Sequence, residues 1–277
     1  MKRVIRRLLI IAAAAVAAGV LSIASSFLFP NVALLAKDTV RKTSFMEYRE
    51  RQWQQEGKRL RIRQTWVPLS RISPYLVKAV LIAEDDKFWR HEGFDFDAIQ
   101  KAVEKDLKAK KFKFGASTIS QQLAKNLFLT PSKNPVRKIK EAILTWRIER
   151  NLSKKRILEL YLNVAEWGEG IFGIEAAARH YYGKSAADLG PEEAAHLAAV
   201  LPNPRRYNPT GESRYVANRS RVIYTIMVRR GIVIPAYEEV ISAPREGEPH
   251  TAPSLDGNGS QSAPFPAGPL ASPPPAD

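Results

Sequence analysis

The sequence of 277 residues contains no cysteine, which excludes disulfide bridges, thiolate zinc sites and cysteine nucleophiles together. Acidic residues are scarce relative to basic ones: 28 Asp and Glu stand against 43 Lys and Arg, a formal net charge of +15. No period of 20–50 residues recurs, which sets aside solenoid and propeller folds. Strand-like alternation is also scarce, so the fold class that we expect is all-α.

Charge is missing altogether from residues 8–29, which are dominated by Leu, Ile, Val and Ala. At about 1.5 Å per helical residue, this run is long enough to cross a hydrocarbon core about 30 Å thick. The basic segment 1–7 predicts a cytoplasmic N-terminus and an external chain after Pro30. A cleavable signal peptide is the alternative, but the run is longer than the usual apolar region of such a peptide.

The C-terminal segment 244–277 contains nine prolines and few large apolar residues. Such a composition cannot bury enough surface to offset its ordering entropy, so it predicts a disordered tail. With residues 30–50 interpreted as a linker, the folded domain is expected at residues 51–243. The basic excess then lies on a membrane-tethered surface, which suits anionic lipid headgroups or an anionic substrate, whereas an outward-facing anchor disfavours nucleic acid.

Capping residues and prolines indicate where the helices of this domain are expected to begin. Their predicted starts are Ser73-Pro74, Asp95, Thr118, Pro135, Ser153, Pro191 and Arg214. Thr118 and Gln121 have the spacing of a capping box. The lysine-rich segment 105–114 lacks a clear helical period and is expected to be a loop.

Two glutamates lie on apolar rows of these helices. Glu84 continues the row of Leu76 and Val80, near a helix C-terminus, so burial and the helix dipole should raise its pKa. A carboxylate with a raised pKa is a useful proton acceptor near neutral pH. Glu141 starts a second apolar row, one turn after Arg137. Two partly buried acids on separate helices are typical of glycosyl-bond chemistry, although a solvent-exposed glutamate and a simple ion pair remain the structural alternatives.

The segment between the two acids carries groups that suit phosphate and sugar oxygens. A helix N-terminus can bind phosphate through its free amides, and a neighbouring basic cluster favours a diphosphate. The candidate substrate-binding residues are Ser117, Thr118, Gln121, Gln122, Lys125, Asn126, Lys133, Arg137 and Lys138. Capping accounts equally well for Ser117 and Thr118, but we do not expect it to account for the adjacent glutamines.

Five segments, in order, resemble the motifs of the peptidoglycan glycosyltransferase family. They are residues 84–93 (EDDKFWRHEG), 115–126 (GASTISQQLAKN), 137–141 (RKIKE), 157–183 and 197–209 (LAAVLPNPRRYNP). The resemblance covers about residues 61–228. One departure is Lys133, where some relatives carry a phosphate-binding arginine, so the charge is kept but the bidentate geometry is lost.

The resemblance implies a lysozyme-like helical domain that polymerises lipid II, a disaccharide-pentapeptide on undecaprenyl diphosphate, into linear glycan strands. Glu84 would be the general base for the 4-hydroxyl of the acceptor sugar, and the reaction would invert the anomeric carbon. Glu141, with Lys125, Lys133 and Arg137, would support the undecaprenyl diphosphate as it leaves. The hydroxyl and amide side chains of residues 117–126 would position sugar and phosphate oxygens.

A divalent cation, Mg or Mn, is the one cofactor that the resemblance leaves open. Asp85 is the candidate ligand for it, although Asp85 and Asp86 alone do not make a metal site. No transpeptidase domain follows the matched region, so only glycosyl transfer is expected.

The implied location is the bacterial inner membrane, with one transmembrane helix and a periplasmic catalytic domain. The implied partners are lipid II, the growing glycan chain and the bilayer, with other cell-wall synthesis and division proteins as candidates and no nucleic acid. Two alternatives remain: a membrane-anchored lytic hydrolase of the same glycan, and a non-catalytic scaffold for anionic polymers.

The predicted orientation can be tested with a reporter fused after Val240. Alkaline phosphatase should be active there, because the positive charges of segment 1–7 stay in the cytoplasm and direct the rest of the chain outward. The same reporter fused before Met1 is the control and should be inactive. An active cytoplasmic reporter after Val240 would reverse the orientation.

Overall fold

The computed structural model describes residues 2–109, 117–131 and 134–234. Within these ranges the chain forms ten α-helices and three short strands. The helices are α1 Lys2–Ser25, α2 Ser44–Gln55, α3 Pro74–Glu84, α4 Phe96–Ala109, α5 Ile119–Phe128, α6 Pro135–Asn151, α7 Lys154–Val164, α8 Ile174–Tyr182, α9 Pro191–Val200 and α10 Arg214–Arg229. The strands are β1 Arg63–Gln64, β2 Glu166–Gly168 and β3 Ile171–Phe172. The expected tail 244–277 lies outside the described residues, as does the expected domain end 235–243.

Helix α1 is long and apolar enough to cross a membrane. It ends at Ser25, short of the expected boundary at residue 29, because the following residues turn toward Pro30, which cannot continue a helix. Arg147 of α6 donates through Nη1 to the carbonyl oxygen of Ser26 at 2.9 Å and through Nη2 to that of Leu28 at 3.3 Å. The end of the apolar helix is therefore attached directly to a helix of the domain.

The interpretation of residues 30–50 as a linker is wrong for most of that segment. Val32 is fully buried in the main core, and α2 begins at Ser44, where Thr43 accepts a capping hydrogen bond from the Met46 N–H. Met46 and Trp53 lie seven residues apart on one face of α2, and both are buried. The folded unit therefore begins well before residue 51.

Two groups of helices make up the core. Helices α3, α9 and α10 pack together, and α5 packs against α2, α6 and α7. Helix α9 is rich in alanine, which lets neighbouring helices approach closely, and six of its ten residues are buried. The catalytic candidates Glu84 and Glu141 lie on α3 and α6, so one comes from each group.

Most expected helix starts are confirmed, but the chemistry at Ser73 is different. The Ser73 hydroxyl donates to the carbonyl oxygen of Leu189 at 2.6 Å and does not cap α3. The expected loop is also shorter than predicted, since α4 continues to Ala109. The apolar stripe of α4 does not face the core: Val103 and Leu107 are 51% and 69% exposed.

The small sheet joins the segment before α3 to the segment after α7. Strand β3 lies between β1, which is parallel to it, and β2, which is antiparallel. Gly173, directly after β3, has φ +78°, and a Cβ there would lie 2.7 Å from the carbonyl oxygen of Asn163. Only glycine allows the start of α8 to approach the end of α7 so closely.

We predict that Gly173→Ala lowers the free energy of unfolding by about 2 kcal/mol or more, because it adds backbone strain and a steric clash. Gly183→Ala is the matched control. Gly183 also has positive φ, +67°, but a Cβ there meets nothing within 4 Å, so its loss should be about 1 kcal/mol. Chemical unfolding followed by circular dichroism measures both. Equal losses would show that the contact with Asn163 does not matter.

Candidate active site

Glu84 is the last residue of α3, and its side chain is only 11% exposed. Burial raises the pKa of Glu84 above the usual glutamate value, and the hydrogen bond from Gln122 and the positive charge of Arg219 oppose this rise. The Arg219 Nη2 atom lies 3.7 Å from Glu84 Oε1 and also donates to the Ala83 carbonyl oxygen at 3.1 Å. The expected raised pKa is thus explained mainly by desolvation, as a general base requires.

Gln122 orients the Glu84 carboxylate. Its Nε2 donates to Glu84 Oε2 at 2.8 Å, and its Oε1 accepts from the Tyr161 hydroxyl at 3.1 Å. We expected Gln122 to bind sugar hydroxyls; in this structure both ends of its amide hold protein groups. Tyr161 of α7 is therefore a site residue that sequence reasoning did not single out.

Asp85 links the loop after α3 to the start of α5. Its Oδ2 accepts from the Ile119 backbone N–H at 2.9 Å, and its Oδ1 lies 2.9 Å from His91 Nε2. His91 Nδ1 accepts from the Gly93 N–H at 3.1 Å, so the network assigns the ring proton to Nε2. Both Asp85 oxygens thus have protein partners, and a metal-binding role for Asp85 stays a prediction. Among the described residues no group of three His, Asp or Glu side chains could hold a metal ion.

The start of α5 is a complete capping box. The Thr118 hydroxyl accepts from the Gln121 N–H at 3.2 Å, and Gln121 Oε1 accepts from the Thr118 N–H at 3.0 Å. The capping box predicted from the spacing of Thr118 and Gln121 is confirmed, and capping therefore accounts for one of the two adjacent glutamines. Thr118 also donates to the Gly93 carbonyl oxygen at 2.7 Å. Both residues are buried, whereas Ser117 is exposed beside them.

Lys125 of α5 lies within electrostatic reach of both candidate acids. Burial lowers the pKa of Lys125 below the usual lysine value, while the charges of Glu141 and Glu84 oppose this fall. Within the described part of the chain, Lys125 forms no ion pair shorter than 4 Å. The site thus places a partly buried ammonium group near two buried carboxylates.

Glu141 is 3% exposed and is paired more fully than expected. Arg137 Nη1 donates to its Oε2 at 2.7 Å, and Lys138 Nζ donates to its Oε1 at 2.5 Å. The single i, i+4 pair predicted from the sequence is therefore one half of a two-cation arrangement on the first turns of α6. Lys133, the remaining candidate of the basic cluster, lies outside the described residues.

A cleft of about 180 Å³ lies beside these residues. Gln122, Lys125, Asn126 and Tyr161 line it, together with residues of α2, β2 and the segment 201–205. Asn126, a candidate substrate-binding residue, is thus one of the residues that line the cleft. Arg49 of α2 and Glu166 of β2 also line the cleft and form an ion pair at 2.9 Å.

Sequence reasoning missed Arg49 and Glu166 for different reasons. Arg49 fell within the segment interpreted as a linker. For Glu166 a signal was present, since it lies between the mainly apolar residues 160–165 and Trp167, where a charged residue indicates a buried polar role.

A helical domain that brings two buried acids close to a polar cleft is typical of enzymes that act on glycosyl bonds. In a comparison with known protein families, residues 52–228 match the Transglycosylase family. The chain is 53% identical over 186 residues to the biosynthetic peptidoglycan transglycosylase of Dechloromonas aromatica (strain RCB), covering 67% of this chain and 80% of that protein. It is 50% identical over 190 residues to the protein of that name from Nitrosospira multiformis, covering 69% and 83%.

A third relative, the biosynthetic peptidoglycan transglycosylase of Azoarcus sp. (strain BH72), is 53% identical over 196 residues, which are 71% of this chain and 85% of that protein. The chain therefore belongs to the transglycosylase family. Its membership confirms the expected all-α, lysozyme-like fold behind one N-terminal apolar helix.

The structure predicts that Lys125 lowers stability. Its cation is disfavoured by burial, so Lys125→Met, which keeps the length of the side chain, should raise the free energy of unfolding at pH 7 by about 0.5–2 kcal/mol. The lowered pKa means that the native state loses the Lys125 proton before the unfolded chain does. Between the lowered pKa of Lys125 in the native state and the usual lysine pKa, the free energy of unfolding of the wild type should then rise with pH. The difference in free energy of unfolding between wild type and Lys125→Met should therefore become smaller.

Lys155→Met on the exposed part of α7 is the control for this prediction and should change stability by less than about 0.5 kcal/mol. Urea unfolding at several pH values measures both variants. A Lys125→Met protein less stable than wild type would contradict the assignment of Lys125 as a disfavoured buried cation.

Proposed function

We propose that this protein is a peptidoglycan glycosyltransferase that polymerises lipid II into linear glycan strands with inversion and releases undecaprenyl diphosphate. The observation that carries the proposal is the placement of Lys125 within reach of two buried glutamates on different helices. Membership of the transglycosylase family supports the glycan chemistry, and the names of the relatives support peptidoglycan as the polymer.

Glu84 acts as the general base in this proposal. It accepts the proton of the acceptor's 4-hydroxyl while that oxygen forms a bond to the anomeric carbon of the donor. The bond from this carbon to the diphosphate oxygen breaks, and the leaving group takes the electron pair. A single displacement of this kind inverts the anomeric carbon from α to β. The raised pKa of Glu84 and its fixed orientation by Gln122 suit it to this step.

The leaving group is anionic, so cations rather than carboxylates must stabilise it. Lys125 would contact the diphosphate, and Arg137 and Lys138 would add positive charge beside it. Glu141 is a positioning residue in this scheme, since its two oxygens accept from Arg137 and Lys138 and hold these cations on the first turns of α6. Lys133 is assigned to the same diphosphate from sequence alone. Asn126, in the cleft, and Ser117, exposed at the start of α5, are the remaining candidate contacts.

A lytic hydrolase is not favoured, because cleavage of an internal glycan bond has no anionic leaving group for these cations to stabilise. A non-catalytic scaffold does not explain a glutamate whose pKa is raised beside a partly buried lysine. Buried ionisable groups with perturbed pKa values cluster at functional sites.

The proposed cellular location of the protein rests on the apolar helix α1 and on the distribution of charge around it. Helix α1 would anchor the protein in the bacterial inner membrane, with the basic segment 1–7 in the cytoplasm and the catalytic domain in the periplasm. Such an anchor would hold the catalytic domain at the membrane that carries the lipid-linked substrate. Proteins of cell-wall synthesis and division are the expected protein partners.

The proposed function predicts that Glu84→Gln abolishes polymerisation, since glutamine keeps the size but cannot accept the proton. The loss of a general base typically reduces the rate about 10²- to 10⁴-fold. The measurement is lipid II consumption and glycan formation on gels, with purified protein. The control is Glu193→Gln, which changes a glutamate paired with Lys184 at the start of α9.

Polymerisation by Glu84→Gln within tenfold of wild type would remove Glu84 from its role as general base. A second arm incubates wild-type protein with purified glycan strands that carry no diphosphate. Cleavage of those strands would favour the hydrolase instead.

A further inference from the structure

Glu166 makes an incomplete ion pair at the cleft. Its side chain is 4% exposed, and its Oε2 accepts from Arg49 Nε at 3.1 Å and from Arg49 Nη2 at 2.9 Å. Its other oxygen, Oε1, is buried and has no hydrogen-bond partner among the described residues. Burial raises the pKa of Glu166, and the charge and hydrogen bonds of Arg49 oppose the rise. A buried carboxylate oxygen without a partner is costly, so it calls for a functional explanation.

Arg205 presents the complementary case in the same cleft. Its Nη1 and Nη2 donate to Gln52 Oε1 and Glu169 Oε1, both at 3.4 Å. Its Nε is buried and, like Glu166 Oε1, is unpartnered in the described part of the chain. Glu166 therefore brings to the cleft lining a buried hydrogen-bond acceptor without a donor, and Arg205 brings a buried donor without an acceptor, among the described residues.

A secondary amide carries both of the groups that these atoms lack, an N–H and a carbonyl oxygen. We propose that Glu166 and Arg205 form a binding subsite for a secondary amide of the substrate, with the N–H donating to Glu166 Oε1 and the carbonyl accepting from Arg205 Nε. The inference rests on the proposed function, because lipid II supplies such amides from two sources, the acetamido groups of its sugars and the bonds of its peptide stem.

The subsite would act on the reaction through position. Gln122 and Tyr161 line the same cleft, and Gln122 donates to Glu84. An amide held by Glu166 and Arg205 would therefore hold the substrate beside Glu84, the proposed general base. Arg49, from the segment before the matched family region, holds the Glu166 carboxylate in place.

Glu166→Gln is a sharp test because Arg49 decides which way the new amide points. Both Arg49 donors require an oxygen at the Oε2 position, so the glutamine NH₂ must occupy the position of Oε1. A ligand N–H would then meet a donor instead of an acceptor. We expect KM for lipid II to rise about 10- to 100-fold, with kcat changed less than about threefold, since binding and not chemistry is affected.

Substrate analogues identify the amide. Wild type and Glu166→Gln are compared on lipid II, on lipid II with the acetamido groups converted to amines, and on lipid II without its peptide stem. On the analogue that lacks the bound amide, the two proteins should have the same KM, because the removed partners interact with each other and their effects do not add. Loss of the difference on the first analogue assigns the acetamido group, and loss on the second assigns the stem.

An unchanged KM in Glu166→Gln would overturn the proposal, as would a rise of equal size on all three substrates, which is what a hydroxyl ligand would give. Glu175→Gln is the matched control. Glu175 is also buried and paired with an arginine, Arg179, but does not line the cleft, so its KM should stay at the wild-type value.

A second variant keeps the test decisive if Glu166→Gln unfolds. Arg205→Lys retains the positive charge but removes the Nε donor, and its effect on KM should disappear on the same analogue. Failure of the proposed function is distinguishable, because wild-type protein would then not consume lipid II at all. If lipid II is consumed but the effects of the variant and of the analogue on KM are additive, only the amide subsite is overturned.

Discussion

The site depends on one buried carboxylate at the N-terminus of a helix. Asp85 accepts from the Ile119 N–H and bonds to His91, so the loop that follows Glu84 is fixed to the first turn of α5. Negative charge at this end of a helix is stabilised by the unpaired N–H groups and the helix dipole. One turn further along α5, Gln122 donates a hydrogen bond to Glu84, and Lys125 lies one turn beyond Gln122. The relative position of Glu84 and Lys125 therefore follows from the attachment at Asp85.

The charged groups beyond this attachment differ in how fully they are paired. Glu84 and Lys125 both lie in surroundings that disfavour their charged forms. Glu141, in contrast, is fully paired by Arg137 and Lys138. A group that must accept a proton or bind a diphosphate has to keep some of its hydrogen-bonding or ion-pairing positions free in the resting protein. A positioning group need not do so. In the proposed mechanism, burial without full pairing thus distinguishes the groups that react or bind, Glu84 and Lys125, from the positioning group Glu141.

Local features were predictable to the extent that neighbours in sequence decide them. The capping box of Thr118 and Gln121 and the starts of α6 and α7 came from side chains within one turn of the backbone that they satisfy. Prediction was wrong where a distant group competes. Ser73 has the right residue type for a cap, but its hydroxyl bonds to Leu189. Residues 30–50 lack strong helical signals at their start, yet Val32 and α2 are buried by partners far along the chain.

The sequence by itself determined the helical class, the apolar N-terminal helix, the order of the motifs and the positions of Glu84 and Glu141 on apolar rows of helices, because periodicity and motif spacing are local properties. Tertiary structure alone decided that Asp85 bonds to the Ile119 N–H and to His91, that Gln122 meets Glu84, and that Arg49 and Glu166 join the cleft. The physical reason is that a hydrogen bond is satisfied by whichever partner the fold brings within about 3 Å. Arg49 and Glu166 are 117 positions apart, and no pattern along the chain records that distance.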